Sequence, residues 1–149
     1  MNPWPNGTPA VGERAERVRT IAAEDIELFT RITGDRNPLH YDEPLARASR
    51  FGGIIVQGGV TSGLLNAVVA EDLPGPGTVF LNANWDFLAP VRPGDTIAAA
   101  VEVVEVRSDK PITHLRTTVT RRDDGEVVLA GTAVCFTDPV VAAGRSEPS

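Results

Sequence analysis

The chain has one cysteine, Cys135, in 149 residues. No disulfide can form within one chain, which suits a reducing compartment. Cys135 lies in the apolar run VLAGTAVCF. A buried strand position lacks the base and the electropositive setting that a nucleophilic thiol needs, so Cys135 is expected to be core filler. Histidine is also scarce, with only His40 and His114, too few for a zinc site built on several His or Cys ligands. Aromatic residues make up 5% of the chain, so the core must come from Val, Leu, Ile and Ala. There is no basic excess: the net charge is −6, and the clusters Arg14–Arg19 and Arg121–Arg122 stand close to acids. Nucleic-acid binding is set aside on that ground. A small anionic substrate is not, because local charge can oppose net charge. No stretch approaches the ~20 consecutive apolar residues of a membrane helix. The opening MNPWPNGTP has no basic segment leading into an apolar one, unlike a signal peptide. The expected setting is cytoplasmic, with no membrane partner.

What is present divides the chain in two. Its length fits one domain, which is placed at residues 11–138. Residues 1–10 and 139–149 are expected as flexible termini, with Trp4 either docked or frayed. Residues 11–22 alternate weakly and predict a strand with Val18 inward. A helix follows, with Glu24 and Asp25 in its first turn, where acids are favoured, and a stripe of Ile26, Leu28, Phe29, Ile32 and Thr33. Gly34 is a suitable stop. Pro38 is read as forbidding a regular helix in the loop that comes next, and Pro44 starts another helix over 43–49. The segment from Val60 to Leu73 is apolar nearly all round, the mark of a buried helix. After Pro74 the pattern changes to period two, predicting strands at 78–90, 95–109, 112–122 and 126–137. The Asp123-Asp124-Gly125 turn closes the last hairpin. Long strands adjacent in sequence pair antiparallel, and they bury an apolar helix most simply by wrapping around it. The predicted class is α+β, a long antiparallel curved sheet around a central buried helix, of the hot-dog type. Its free edge predicts a dimer that continues the sheet.

Two stretches can carry chemistry. Phe29–Ala46 (FTRITGDRNPLHYDEPLA) packs Asp35, Asn37, His40 and Asp42 into eight residues. Pro38 stiffens the loop and pushes Asn37 toward extended backbone. Asp and Asn also form ordinary turns, so composition alone leaves a plain structural loop open. A calcium site would need acids at alternate positions followed by Gly, and this stretch has Pro and Leu instead; no metal is expected. A His with a carboxylate neighbour suits proton transfer near neutral pH. No Ser or Cys stands beside the pair, so water is the expected reactant. The second stretch is Gln57-Gly58-Gly59 at the start of the apolar helix. Free N–H groups there favour developing negative charge and can form an oxyanion hole. The same glycines can equally serve close helix–sheet packing.

The loop resembles a known signature. Phe29 through Ala46, centred on Gly34-Asp35-Arg36-Asn37-Pro38-Leu39-His40, is similar to the hydratase 2 motif of the MaoC-like (R)-specific enoyl-CoA hydratases. The resemblance continues through FGGIIVQGG, LPGPGTVFLNANWDFLAPVRPGDTI and SDKPI, from about residue 15 to 137. It implies a hot-dog homodimer or higher oligomer with the site at the dimer interface. It also implies an acyl-CoA or acyl-ACP substrate, and no cofactor beyond the CoA or acyl-carrier thioester itself. Carried over by position, Asp35 and His40 are the catalytic pair holding the water, and Asn37 orients the loop or the water. Gly58 polarises the thioester carbonyl, with Gly59 and Gln57 beside it. The implied reaction is syn addition of water to a trans-2-enoyl thioester, giving a (3R)-3-hydroxyacyl thioester. A biosynthetic dehydratase or atypical hot-dog lyase is the alternative within this chemistry; a thioesterase or a non-catalytic acyl-thioester-binding module is a rival outside it. Gln57 stands where many members have His, and Asn66 where some have Ser. Leu64, Leu65, Trp85 and Phe87 are candidates to line an acyl tunnel, although Trp85 reads equally well as a sheet-core residue.

Overall fold

Four long strands occupy the second half of the chain, where β-branched residues alternate and turn residues interrupt them. The computed structural model describes residues 2–145. In order, its elements are β1 (Arg14–Thr20), α1 (Ala23–Thr33), α2 (Pro38–Tyr41), α3 (Glu43–Ala48), α4 (Gly58–Ala67) running into a π-helical turn (Val68–Asp72), β2 (Thr78–Phe87), β3 (Thr96–Val106), β4 (Ile112–Arg121), β5 (Val127–Thr137) and α5 (Pro139–Arg145). The strands form one antiparallel sheet in the order β1-β3-β4-β5-β2. Gly125 supplies the positive φ (72°) of the β4–β5 turn. Bulges at Phe80/Asn82, Val103/Glu105 and Val119/Thr120 interrupt the ladders, and bulges bend and twist the strands that carry them.

The core lies between the sheet and α4. Leu65, Val68 and Val69 pack with Ile97, Val101, Val103, Leu115, Val119 and Leu129, all nearly inaccessible to solvent. Burial of each such side chain contributes about 1.5–3 kcal/mol. The α4 helix is the centre of the fold as expected, but it is not sealed all round. Gly58 and Asn66 are exposed. On β2, Ala83 and Phe87 pair with the buried Ala133 and Leu129 and so face inward, yet both are exposed. The sheet therefore extends past the helix it wraps and leaves an open bay along β2.

Three expectations change. Val18 is 50% exposed. The register places Ala15, Arg17 and Arg19 opposite Val101, Ala99 and Ile97, so these three face inward. Arg17 and Arg19 reach Asp72 (2.7 Å) and Asp25 (2.6 Å). The α1 stripe is shifted: Ile26, Thr30 and Asp25 are buried, while Leu28 and Ile32 are exposed. Pro38 starts a one-turn helix rather than preventing one, since at the first helical position its missing N–H costs nothing. Within the ends expected as flexible, 1–10 and 139–149, a few residues make specific contacts with the body of the fold. The buried Trp4 donates its indole N–H to Arg107 O (2.9 Å). Asn6 donates to Ala142 O (2.7 Å), and Asp138 caps α5 by accepting from Val140 N–H (2.9 Å). Met1 and residues 146–149 lie outside the described residues.

Candidate active site

The Asp35–His40 turn is held from within. Gly34 ends α1 in the left-handed region (φ 80°) and donates its N–H to Thr30 O (2.7 Å). Asp35 Oδ1 accepts the Asn37 N–H (3.1 Å), and Asn37 Oδ1 accepts the Leu39 N–H (3.1 Å), capping α2. Asn37 is extended (φ −52°, ψ 132°), as expected of a residue before proline. Its carbonyl accepts the His40 N–H (2.9 Å). Asn37 thus shapes the loop through both its side chain and its backbone.

The two ionisable side chains then converge. His40 Nδ1 lies 2.7 Å from Ile55 O. A carbonyl only accepts, so Nδ1 carries a proton, and Nε2 is the ring nitrogen left to face the substrate side. Nε2 faces Asp35 Oδ2 at 3.7 Å. That gap exceeds a hydrogen bond and suits one oxygen held between the two groups. The His40 side chain is 8% exposed and that of Asp35 36%, so solvent reaches the pair from the aspartate side.

Beneath the loop lies a hydroxyl cluster. The Thr30 and Tyr41 hydroxyls are 2.5 Å apart. They sit between two acceptors, Asp35 O at 2.7 Å from Thr30 and Glu27 Oε2 at 3.0 Å from Tyr41. Gln57, only 2% exposed, donates its Nε2–H to Ile26 O (3.1 Å) and Thr30 Oγ1 (3.2 Å). The amide nitrogen of Gln57 ties α4 to α1 and to the underside of the loop, while its Oε1 is buried without a hydrogen-bond partner among the described residues. Thr30 and Tyr41 were not singled out from the sequence. The available signal was a threonine one helical turn after Ile26, on the buried stripe.

The start of α4 has no side-chain cap, so its first N–H groups are directed outward. The two glycines have different surroundings. A Cβ on Gly59 would overlap the Phe29 ring, whereas on Gly58 it would meet the Phe87 ring at 3.1 Å. Gly59 allows α1 to close on α4. Gly58 is exposed and lines a cavity of about 490 Å³ with Arg50, Phe51, Ile55, Thr61 and Phe87. His40 borders a second cavity of about 780 Å³ with Tyr41, Ile54 and Arg92.

Two candidates lie apart from these cavities. Leu64 lines a groove between α1 and α4 with Leu28, Phe29 and Ile32. Trp85 stacks edge-on against Phe80, with centroids 5.6 Å apart, and packs on the core. Its indole nitrogen is buried without a hydrogen-bond partner among the described residues. Burial pushes the Cys135 thiol up to about 12, which fits an inert core residue. Among the described residues, no group of three or more His, Cys, Asp or Glu side chains is arranged to hold a metal ion. No helix there is long and apolar enough to cross a membrane.

The MaoC like domain family matches residues 7–124. The chain belongs to this family. It is 41% identical over 116 residues to a 3-hydroxybutyryl-CoA dehydratase of Methylorubrum extorquens, covering 78% of this chain and 73% of the relative. It is 38% identical over 122 residues to an (R)-specific enoyl-CoA hydratase of Rhodospirillum rubrum, covering 82% and 83%. Among solved structures, an (R)-hydratase from A. caviae involved in PHA biosynthesis superimposes with a TM-score of 0.82 at 32% identity, over 87% of this MaoC-like chain and 98% of that one. The fold of the MaoC-like protein is thus the hot-dog fold read from its sequence.

Proposed function

We propose that this protein is an (R)-specific hydratase of trans-2-enoyl thioesters, with Asp35 and His40 as its catalytic pair. One observation carries the reading: an imidazole whose Nδ1 is fixed on Ile55 O, with its Nε2 3.7 Å from Asp35 Oδ2. A water held between them adds its oxygen to C3 of the enoyl group. The pair takes one proton from that water and one proton is delivered to C2, so the addition balances without electron transfer and needs no redox cofactor. The thioester oxygen gains negative charge as C3 is attacked, and the Gly58 N–H at the uncapped start of α4 stabilises it. The reverse direction dehydrates a 3-hydroxyacyl thioester at the same site, in line with the names of both relatives. The substrate is an acyl group on CoA or an acyl carrier protein.

The active form is a homodimer. The unpaired edge of β2, with Val79, Leu81, Phe87 and Leu88 each more than half exposed, supports this, as does the open bay between β2 and α4.

Hydration of crotonyl-CoA, followed by loss of the enoyl-thioester absorbance with the product's chirality read out, tests the function. Asp35→Asn and His40→Gln should each lower kcat/KM by about 10²–10⁴-fold, with unchanged urea midpoints. Near-normal turnover in either variant would sink the assignment, and an (S) product would remove the stereochemical part.

A further inference from the structure

The cavity beside Gly58 has a charge opposite to that of the chain. The protein carries −6 overall, yet the cavity's wall includes Arg50 and Arg92 and no acidic side chain. The two arginines differ in their commitments. Arg92 donates to the Phe51 and Ile54 carbonyls, bracing the loop before α4. Arg50 lies over the Phe51 ring, 5.6 Å from its centroid, and has no carboxylate partner among the described residues. Most other arginines are paired: Arg17, Arg19, Arg47, Arg107, Arg116, Arg121 and Arg122 each meet a carboxylate within 2.8 Å. The acids on the neighbouring hairpin, Asp124 and Glu126, are held by Arg121. Arg50 is thus a cation whose donors are open, positioned by stacking, on a cavity that starts at the uncapped α4 helix.

The cavity is of a size that accepts a small-molecule ligand, and its wall is otherwise mostly apolar: Phe51, Ile55, Phe87 and Leu88. A ligand fitting these walls has a polarisable carbonyl for the Gly58 N–H, an uncharged arm for the aromatic side chains and an anion for Arg50. We propose that Arg50 binds a phosphate of the thioester's carrier arm, the phosphopantetheine group that coenzyme A and acyl carrier proteins share. The planar guanidinium suits a phosphate because it can engage two oxygens at once. This rests on the hydratase reading given above.

The test compares crotonyl-CoA, crotonyl carrier protein and crotonyl-pantetheine, which lacks phosphate, with wild type, Arg50→Gln and Arg50→Lys. The wild type should favour crotonyl-CoA over crotonyl-pantetheine in kcat/KM, and Arg50→Gln should reduce that preference by about tenfold. Arg50→Lys should retain part of it. An equal loss on the carrier-protein substrate supports the shared phosphate nearest pantetheine, while a loss on crotonyl-CoA alone would overturn that contact and point to the nucleotide phosphates instead. An unchanged preference, or equal losses with and without phosphate, would overturn the proposal. Calorimetric titration of free coenzyme A separates it from the catalytic reading. Tenfold weaker binding by Arg50→Gln in a protein that hydrates nothing would keep the phosphate site and remove the hydratase. Unchanged binding in an active hydratase would do the reverse.

Discussion

At the scale of single residues, Ile55 O decides what His40 can do. The carbonyl holds the Nδ1 proton, leaving Nε2 as the ring nitrogen beside Asp35. Asp35, Asn37 and His40 were legible in the sequence because they lie within six residues and their relations run through one short turn. Gln57 was not. Its two bonds go to α1, 31 and 27 residues earlier, and nothing local in Gln57-Gly58-Gly59 reveals them. The same stretch left open whether its glycines serve chemistry or packing, and the Phe29 ring shows that packing requires Gly59. Gly59→Ala should therefore destabilise the protein by about 1–3 kcal/mol through overpacking at the α1–α4 contact. The expected reading is a lower urea midpoint with an unchanged slope; an unaltered midpoint would mean that Phe29 can move aside at little cost.

At the scale of elements, strand positions were legible to within a few residues, since long period-two segments between Pro and Gly turns have few other solutions. The face of β1 was not legible. RAERVRT carries charges on both parities, and only pairing with β3 shows that Arg17 and Arg19 point inward. One of them reaches the first turn of α1. Burial alone would raise the Asp25 carboxyl, but the Arg19 guanidinium and the Ala22 N–H outweigh it and hold it below its ordinary value near 3.8. The ionised form is the stabilised one. Its contribution is present above that ordinary value and is lost as pH falls through the lower folded value. Asp25→Asn should cost about 1 kcal/mol near neutral pH. The gap between wild type and variant should close under acid conditions below the folded value. Urea melts across the acid range check this, and a gap that persists there would assign the cost to packing rather than to charge.

At the scale of the molecule, the sequence supported a sheet around a helix because no other element can cover so apolar a segment. It could not show that the cover is incomplete. The bay between α4 and β2 depends on sheet curvature, which sequence spacing does not report. Light scattering should give twice the chain mass for the wild type. Leu81→Lys, at a site 59% exposed in the isolated chain, should shift it toward monomer with the fold intact. A wild-type monomer, or a dimer indifferent to Leu81→Lys, would place the contact elsewhere.

The two rims of the sheet are unlike. One, β2, exposes Val79, Leu81 and Phe87 among Asn82, Asn84 and Asp86; the other, β1, bears Arg14, Glu16, Arg17 and Arg19 in seven residues. Growth into a filament needs two sticky rims per molecule, each adding the next. With only one, the proposed homodimer would consume it between two copies related by a twofold axis, in a self-complementary contact that saturates. Charge at the opposite rim opposes strand-by-strand polymerisation, so on the proposed homodimer the assembly would end at a closed pair.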